Sequence, residues 1–378
     1  MLNLEPGLAA ARGEIEAAIA RVISSGVFVA GPDVCAFEQE MARYLGVSHC
    51  VGVNSGTDAL VIALRALGIG AGDEVIVPAF TFVASAEAVC VAGATPVFAD
   101  IEPDTYTLDA QGLDALLTGR TRAVLAVHLF GQGAALEPLV AWAARRSVLV
   151  LEDVAQALGA SYQGRKLGSF GAAAALSFFP SKNLGAFGDA GMLATNDDDV
   201  AEVARRLRQH GGRDKYSGEL IGYNSRLDSI QAAVLRAKLP RLDNALAERR
   251  AAARRYDALL AGAPELRLPT PRAGGEHTYH QYTLALPPGQ RESVARALER
   301  EGIQSMIYYP APLYRLPAYR AFGNGEALPN AEASARSVLS IPIWPEISRA
   351  DQERVASAVK SALEGVPSLL AGLAPLGV

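Results

Sequence analysis

Ala175-Leu176-Ser177-Phe178-Phe179-Pro180-Ser181-Lys182-Asn183-Leu184-Gly185 reads as a buried apolar strand that runs into a turn carrying a lysine, with Gly188 and Gly191 close behind. Working outward, short apolar runs at 50–53, 74–78, 95–99, 123–129, 148–152, 175–179 and 191–195 alternate with helical stretches. Nearly continuous runs such as Val124-Leu125-Ala126-Val127 suit strands covered on both faces, and the intervening helices supply the cover. The fold class is α/β: a large domain with a mostly parallel seven-stranded sheet plus a small C-terminal α/β domain.

The flanks divide the chain further. Ile15, Ile19, Val22 and Ile23 share one helical face, with Gly26 as the stop and an extended arm over 24–33. This makes residues 1–30 an N-terminal helix and arm, and 31–245 the large domain. Within it, Asp198 and Asp199 cap a helix whose Val200, Val203, Ala204 and Leu207 share a face, and a loop runs from Gly211 to about 224. A long Ala/Arg-rich helix at 241–261 precedes a Pro264, Pro269, Pro271 break, so residues 246–378 form the small domain. Its expected elements are strands at Tyr282–Leu286, 303–308 and 338–343 and helices at 291–301 and 349–364.

Composition narrows the function. With 378 residues, half of them hydrophobic and 20% charged, the chain can bury an extensive core, and we expect it to be folded throughout. A net charge of −5 gives no reason to attract nucleic acid or an anionic membrane, and no apolar run is long enough to span one. Cys35, Cys50 and Cys90 show no metal spacing and sit among apolar residues, which favours buried thiols in a reducing cytoplasm and no metal site. A small-molecule partner fits best.

Three segments carry chemistry. Asn54-Ser55-Gly56-Thr57-Asp58 lies between a strand and an apolar helix and reads either as a plain cap or as a phosphate cradle of free N–H groups. Leu149-Val150-Leu151-Glu152-Asp153 delivers an acid to a strand end, where open α/β sheets bind ligands; Asp153 is a helix cap or a partner for a protonated ring nitrogen. Lys182 is one of only five lysines against thirty arginines, and the only one following a buried strand within a glycine-rich turn. Alone it reads as a surface lysine or as the primary amine of a Schiff base, a role closed to arginine.

Taken together these segments resemble, over essentially the whole chain, the nucleotide-sugar aminotransferases of the DegT/DnrJ/StrS type. The blocks that carry the resemblance are Ser55-Gly56-Thr57-Asp58-Ala59-Leu60, Pro78-Ala79-Phe80-Thr81-Phe82, Glu152-Asp153-Val154-Ala155-Gln156-Ala157, Ser177-Phe178-Phe179-Pro180-Ser181-Lys182 and Asn224-Ser225-Arg226-Leu227-Asp228. The resemblance implies the fold-type-I architecture of pyridoxal 5'-phosphate (PLP) enzymes, with Lys182 as Schiff-base lysine and proton carrier and Asp153 on the ring nitrogen. It further implies Gln156 near the ring hydroxyl, Phe82 on the ring face, and phosphate held by Gly56, Thr57, Ser177 and Asn224. Asn224 would reach in from the second subunit of a homodimer with shared active sites.

On the substrate side the resemblance implies L-glutamate as amino donor and a nucleotide-linked keto-sugar as acceptor. Arg226 is the leading contact, with His210, Arg213 and Lys215 nearby. Tyr308-Tyr309-Pro310-Ala311-Pro312-Leu313-Tyr314 departs from the family, which usually has histidines where Tyr308 and Tyr314 stand; Tyr309 and Tyr314 become the substrate-pocket candidates. The Lys182 and Asn224 blocks are closer to members aminating carbon 3 than carbon 4. Rival readings are a sugar dehydratase, whose relatives have histidine in place of Lys182, a keto-cyclitol aminotransferase, and a regulatory protein that keeps PLP without turnover.

Overall fold

The computed structural model describes residues 1–214, 216–323 and 327–364. At the N-terminus, α1 (Glu5–Ser25) ends at Gly26 and buries Ala11, Ile15, Ala18 and Val22. Its buried stripe runs slightly aside from the expected one: Ile19 packs only partly and Ile23 is 59% exposed. The extended arm is shorter than expected because α2 (Pro32–Leu45) starts within it, Pro32 having the fixed φ that suits a first helical turn. Cys35, expected buried, is exposed on α2, whereas Cys50 is buried; all three cysteines are unpaired.

β1 (His49–Val53), α3 (Gly56–Ala66), β2 (Glu74–Pro78), α4 (Ala84–Val91), β3 (Thr95–Ala99), β4 (Thr121–Val127), α5 (Leu136–Arg146) and β5 (Leu149–Asp153) follow in alternation. A short ribbon, β6 (Ser161–Tyr162) and β7 (Arg165–Lys166), precedes β8 (Ala173–Ser177) and β9 (Gly191–Thr195). The seven main strands form one sheet in the order β1-β9-β8-β5-β4-β2-β3. Only β9 runs against its neighbours, so the other six send their C-terminal ends to one edge.

Side chains alternate between two apolar layers, as strand geometry requires. Val51, Val75, Leu125, Leu151 and Ala175 pack towards α3 and α4, while Cys50, Ile76, Val124, Val150 and Ala174 pack towards α2 and α5. Glu152 and Asp153 thus continue opposite faces.

α6 (Asp198–Leu207) is capped by Asp197, whose carboxylate accepts from Asp199 N and Val200 N, so the expected caps Asp198 and Asp199 lie one step inside the helix. After the 211–224 stretch comes α7 (Ser229–Lys238), which the sequence reading left unassigned; its Ala233 and Val234 pack against α1. The expected long helix is α8 (Leu242–Leu260), and the residue-245 boundary falls in its first turns.

Beyond it, β10 (Gly275–Glu276) joins the ribbon, and β11 (Tyr282–Ala285), α9 (Arg291–Arg300), α10 (Pro329–Ser337), β12 (Val338–Ile341) and α11 (Arg349–Glu364) follow. β11 and β12 pair antiparallel over a third apolar cluster shared with α8, α9 and α11. The strand expected at 303–308 does not form. Met306 makes a single bridge with Ser340, and the chain then leaves the sheet to carry Tyr309 towards Gln156. No helix of the described residues is long and apolar enough to cross a membrane.

Candidate active site

At the common strand edge, the β1–α3 turn builds a cradle. Ser55 caps α3 by accepting Asp58 N at 3.0 Å, which leaves the N–H groups of Gly56 and Thr57 as the unsatisfied donors of the first turn. A Cβ on Gly56 would lie 2.7 Å from Ser177 Cβ, and one on Gly191 would lie 2.2 Å from the Ser55 carbonyl carbon, so only glycine lets β8 and β9 close on this turn. The Ser177 hydroxyl stands at the same place, 3.3 Å from that Gly56 Cβ position. Free N–H groups, the positive helix end and a hydroxyl suit a phosphate.

Asp153 ends β5 on the α3/α4 face and is 7% exposed. Its Oδ1 accepts from Ala155 N at 3.0 Å and its Oδ2 from the Ser85 hydroxyl at 3.1 Å. Ser85 is fully buried, three residues after Phe82, and nothing in the sequence alone singles it out. On the other face, Glu152 is fully buried and accepts from Gly168 N, Phe170 N and Gly171 N at 2.8, 2.7 and 2.8 Å. His128 Nε2 lies 3.0 Å from it, and since His128 Nδ1 accepts Ala134 N, the ring proton sits on Nε2 and points at Glu152.

Lys182 follows β8 in a turn closed by its own N–H to Phe179 O at 2.8 Å. Its amine has no hydrogen bond or ion pair among the described residues. Burial lowers its pKa, with the nearby Asp153 charge opposing, so the neutral amine is more accessible than in a free lysine. A cavity of about 500 Å³ reaches Lys182 between the 180–187 turn, α8 and residues 2–11. A larger hollow of about 640 Å³ near Glu14 and Arg236 contains none of the expected site residues.

Gln156 bridges two elements: its Oε1 accepts Phe130 N at 2.8 Å and its Nε2 donates to the Tyr309 hydroxyl at 3.1 Å. Phe130 holds a left-handed conformation, φ 58°, at that point. Phe82 is half-exposed and tilts against Tyr309, ring centroids 6.1 Å apart. Burial raises the Tyr309 pKa, so its hydroxyl stays protonated.

Other expected residues lie elsewhere. Tyr314 is buried in the core against Phe98, and its hydroxyl donates to Glu332 at 2.7 Å while accepting Leu328 N at 3.3 Å; packing and both bonds remove it from the pocket. Asn224 is exposed, with Arg226 donating to its Oδ1 at 2.7 Å, and among the described residues no hydrogen bond or ion pair joins either side chain to Lys182 or Asp153. His210 is exposed and Arg213 pairs with Glu202 at 3.4 Å. Lys215 lies outside the described residues.

A model of the DegT/DnrJ/EryC1/StrS aminotransferase family matches residues 10–360. The chain is 43% identical to a pleiotropic regulatory protein of Geobacillus stearothermophilus over 94% of its length and 96% of that protein's. It is 45% identical to the dTDP-3-amino-3,4,6-trideoxy-alpha-D-glucose transaminase of Streptomyces venezuelae, covering 97% and 96%. Among solved structures, S. venezuelae DesV superposes with a TM-score of 0.93 at 45% identity, covering 96% of this chain and 98% of that one. NtdA of Bacillus subtilis, solved with bound cofactor PMP, has a TM-score of 0.89 at 29% identity, covering 94% and 82%.

Proposed function

Because this chain belongs to the DegT/DnrJ/EryC1/StrS aminotransferase family, we propose that it uses PLP at Lys182 to move an amino group from L-glutamate to a nucleotide-linked keto-sugar, at carbon 3. The observation that carries this is the unpartnered, partly buried amine of Lys182 on the same sheet edge as the Asp153 carboxylate and the Gly56–Thr57 cradle. When bound, PLP supplies a carbonyl that condenses with primary amines and a protonated ring that draws in the electron pair left by a departing α-proton.

The chain's own residues do the rest. Gly56 N, Thr57 N and the Ser177 hydroxyl would hold the phosphate, Asp153 would keep the ring nitrogen protonated, and half-exposed Phe82 would supply an aromatic plate for the ring. Gln156, fixed by Phe130 N and donating to the Tyr309 hydroxyl, would lie on the ring hydroxyl side. Lys182 would hold the group through its amine and would carry the proton that leaves the α-carbon of glutamate.

Asn224 and Arg226 serve the site of a second copy in a homodimer. This is supported by the exposure of Asn224 and by the exposed apolar run Val27, Phe28, Val29, tied to this segment through the Val29–Asp228 bridge. A monomer by sedimentation equilibrium would remove that role. The three unpaired cysteines support a cytoplasmic location, which fractionation of the cells that make the protein checks.

The first experiment is an absorption spectrum of the purified protein before and after L-glutamate, with Lys182→Ala alongside. The visible band of bound PLP is expected to disappear on glutamate addition in the wild type, and the variant should lack transaminase turnover by at least about 10⁴-fold. Initial rates against glutamate and keto-sugar should give parallel lines; intersecting lines exclude the two-stage exchange. A panel of 3-keto-sugars, 4-keto-sugars and keto-cyclitols decides the acceptor, with carbon 3 favoured by the similarity to the S. venezuelae transaminase. A second reading, a PLP-keeping regulator, is favoured by the name of the G. stearothermophilus relative. Full PLP loading with a spectrum indifferent to glutamate would count for it and against glutamate as the donor.

A further inference from the structure

Thr81, Ser85 and Asp153 form a buried line of hydrogen bonds that the assignments above leave unused. Ser85 Oγ lies 3.1 Å from Asp153 Oδ2 and 3.2 Å from Thr81 Oγ1; Ser85 has no exposed surface and Thr81 2%. A carboxylate only accepts, so the single Ser85 proton points at Asp153, and the Thr81 proton must then point at Ser85. The line therefore has one direction, Thr81 to Ser85 to Asp153. With Ala155 N on Oδ1, each oxygen of Asp153 is held by one internal donor and keeps a lone pair free.

We propose that Ser85, oriented by Thr81, is a positioning residue for the cofactor ring: it fixes the plane of the Asp153 carboxylate so that a free lone pair meets the ring nitrogen. The inference rests on the assignment of Asp153 to that nitrogen. Geometry supports the link, because Ser85 lies in the first turn of α4 and its backbone N–H donates to Phe82 O at 3.1 Å. One turn thus carries both the aromatic plate of the ring face and the brace of the ring-nitrogen acid. A carboxylate anchored only through Ala155 N would swing about that single contact, whereas two donors on different oxygens fix both its rotation and its tilt.

The test compares equilibrium binding of PLP and of its 1-deaza analogue, in which carbon replaces the ring nitrogen, to wild-type, Ser85→Ala and Ser85→Thr apoprotein. Ser85→Ala should weaken PLP about fivefold and leave the deaza analogue unchanged, and Ser85→Thr should restore PLP binding, since only the nitrogen-bearing ring senses the orientation of Asp153. Equal weakening of both cofactors, or no weakening of either, overturns the proposal, the first outcome being that of a hydroxyl serving the fold alone. Failure of the wild type to bind PLP at all would instead sink the cofactor assignment itself. If Ser85→Ala does not fold, Thr81→Val replaces it, with about a twofold loss confined to PLP expected and an equal loss for both ligands contrary to the proposal.

Discussion

Glu152 and Asp153 are neighbours on one strand, and the two faces of the sheet treat their carboxylates in opposite ways. On the α2/α5 face Glu152 is saturated: three backbone N–H groups and the His128 ring occupy its oxygens, fastening the 168–171 loop and the 128–134 segment to the C-terminal end of β5. On the α3/α4 face Asp153 has two donors and spare lone pairs, and it stands near an unpartnered lysine. A saturated carboxylate can hold a fold together but has nothing left to offer a ligand. An unsaturated one, kept within a buried wall, is costly to the fold unless something else completes it.

The sharpest way to break this contrast is to neutralise each acid in turn. Asp153→Asn should lower kcat roughly a thousandfold, equivalent to about 4 kcal/mol, with the urea midpoint nearly unchanged. Glu152→Gln should do the reverse, costing about 3 kcal/mol of stability because an amide N–H₂ must face donors, while kcat per folded molecule stays within about twofold. Stability effects of equal size at both positions would erase the distinction.

Acid should reveal the same asymmetry. Burial alone would push the Glu152 pKa up, but the His128 contact and the N–H groups of Gly168 and Gly171 outweigh it, and the pKa lies below that of a free glutamate. A depressed folded-state pKa gives stability that is present above the unfolded value, about 4.3, and is lost as pH falls through the folded one. Urea unfolding between about pH 6 and pH 3 should therefore show a loss in the wild type that is smaller in Glu152→Gln.

Much of this was legible in the sequence, and the reason is periodicity. The seven strands are bounded by turn residues and run apolar because both faces are covered, so their positions could be read directly, with Asp153 at the end of one and Lys182 in the turn after another, while the roles of both came only from the resemblance. What escaped depends on contacts between distant segments. α7 has a weakly amphipathic sequence whose burial is imposed by α1, and the 303–308 strand fails because one bridge to Ser340 is all the geometry allows. Ser85 escaped because a serine in an alanine-rich helix start gives no signal; only the fold brings it to Asp153, 68 residues away.

The same contrast recurs, at smaller scale, in two tyrosines from one segment. Tyr309 and Tyr314 are equal candidates in the sequence, yet the Tyr314 hydroxyl is committed on both sides, to Glu332 and Leu328 N, whereas the Tyr309 hydroxyl accepts a single hydrogen bond among the described residues, from the Gln156 amide, and its ring lies against half-exposed Phe82. Removing the hydroxyl should therefore act on different observables. Tyr309→Phe frees the Gln156 amide beside the ring and should lower kcat/KM about fivefold, about 1 kcal/mol, without moving the denaturation midpoint. Tyr314→Phe leaves Glu332 to Arg315, which already pairs with it, and should cost about 1 kcal/mol of stability or less while kinetics with glutamate and with the keto-sugar stay unchanged. A kinetic effect of Tyr314→Phe would put that side chain back in the substrate pocket, and with it the assumption that a fully bonded hydroxyl is spent.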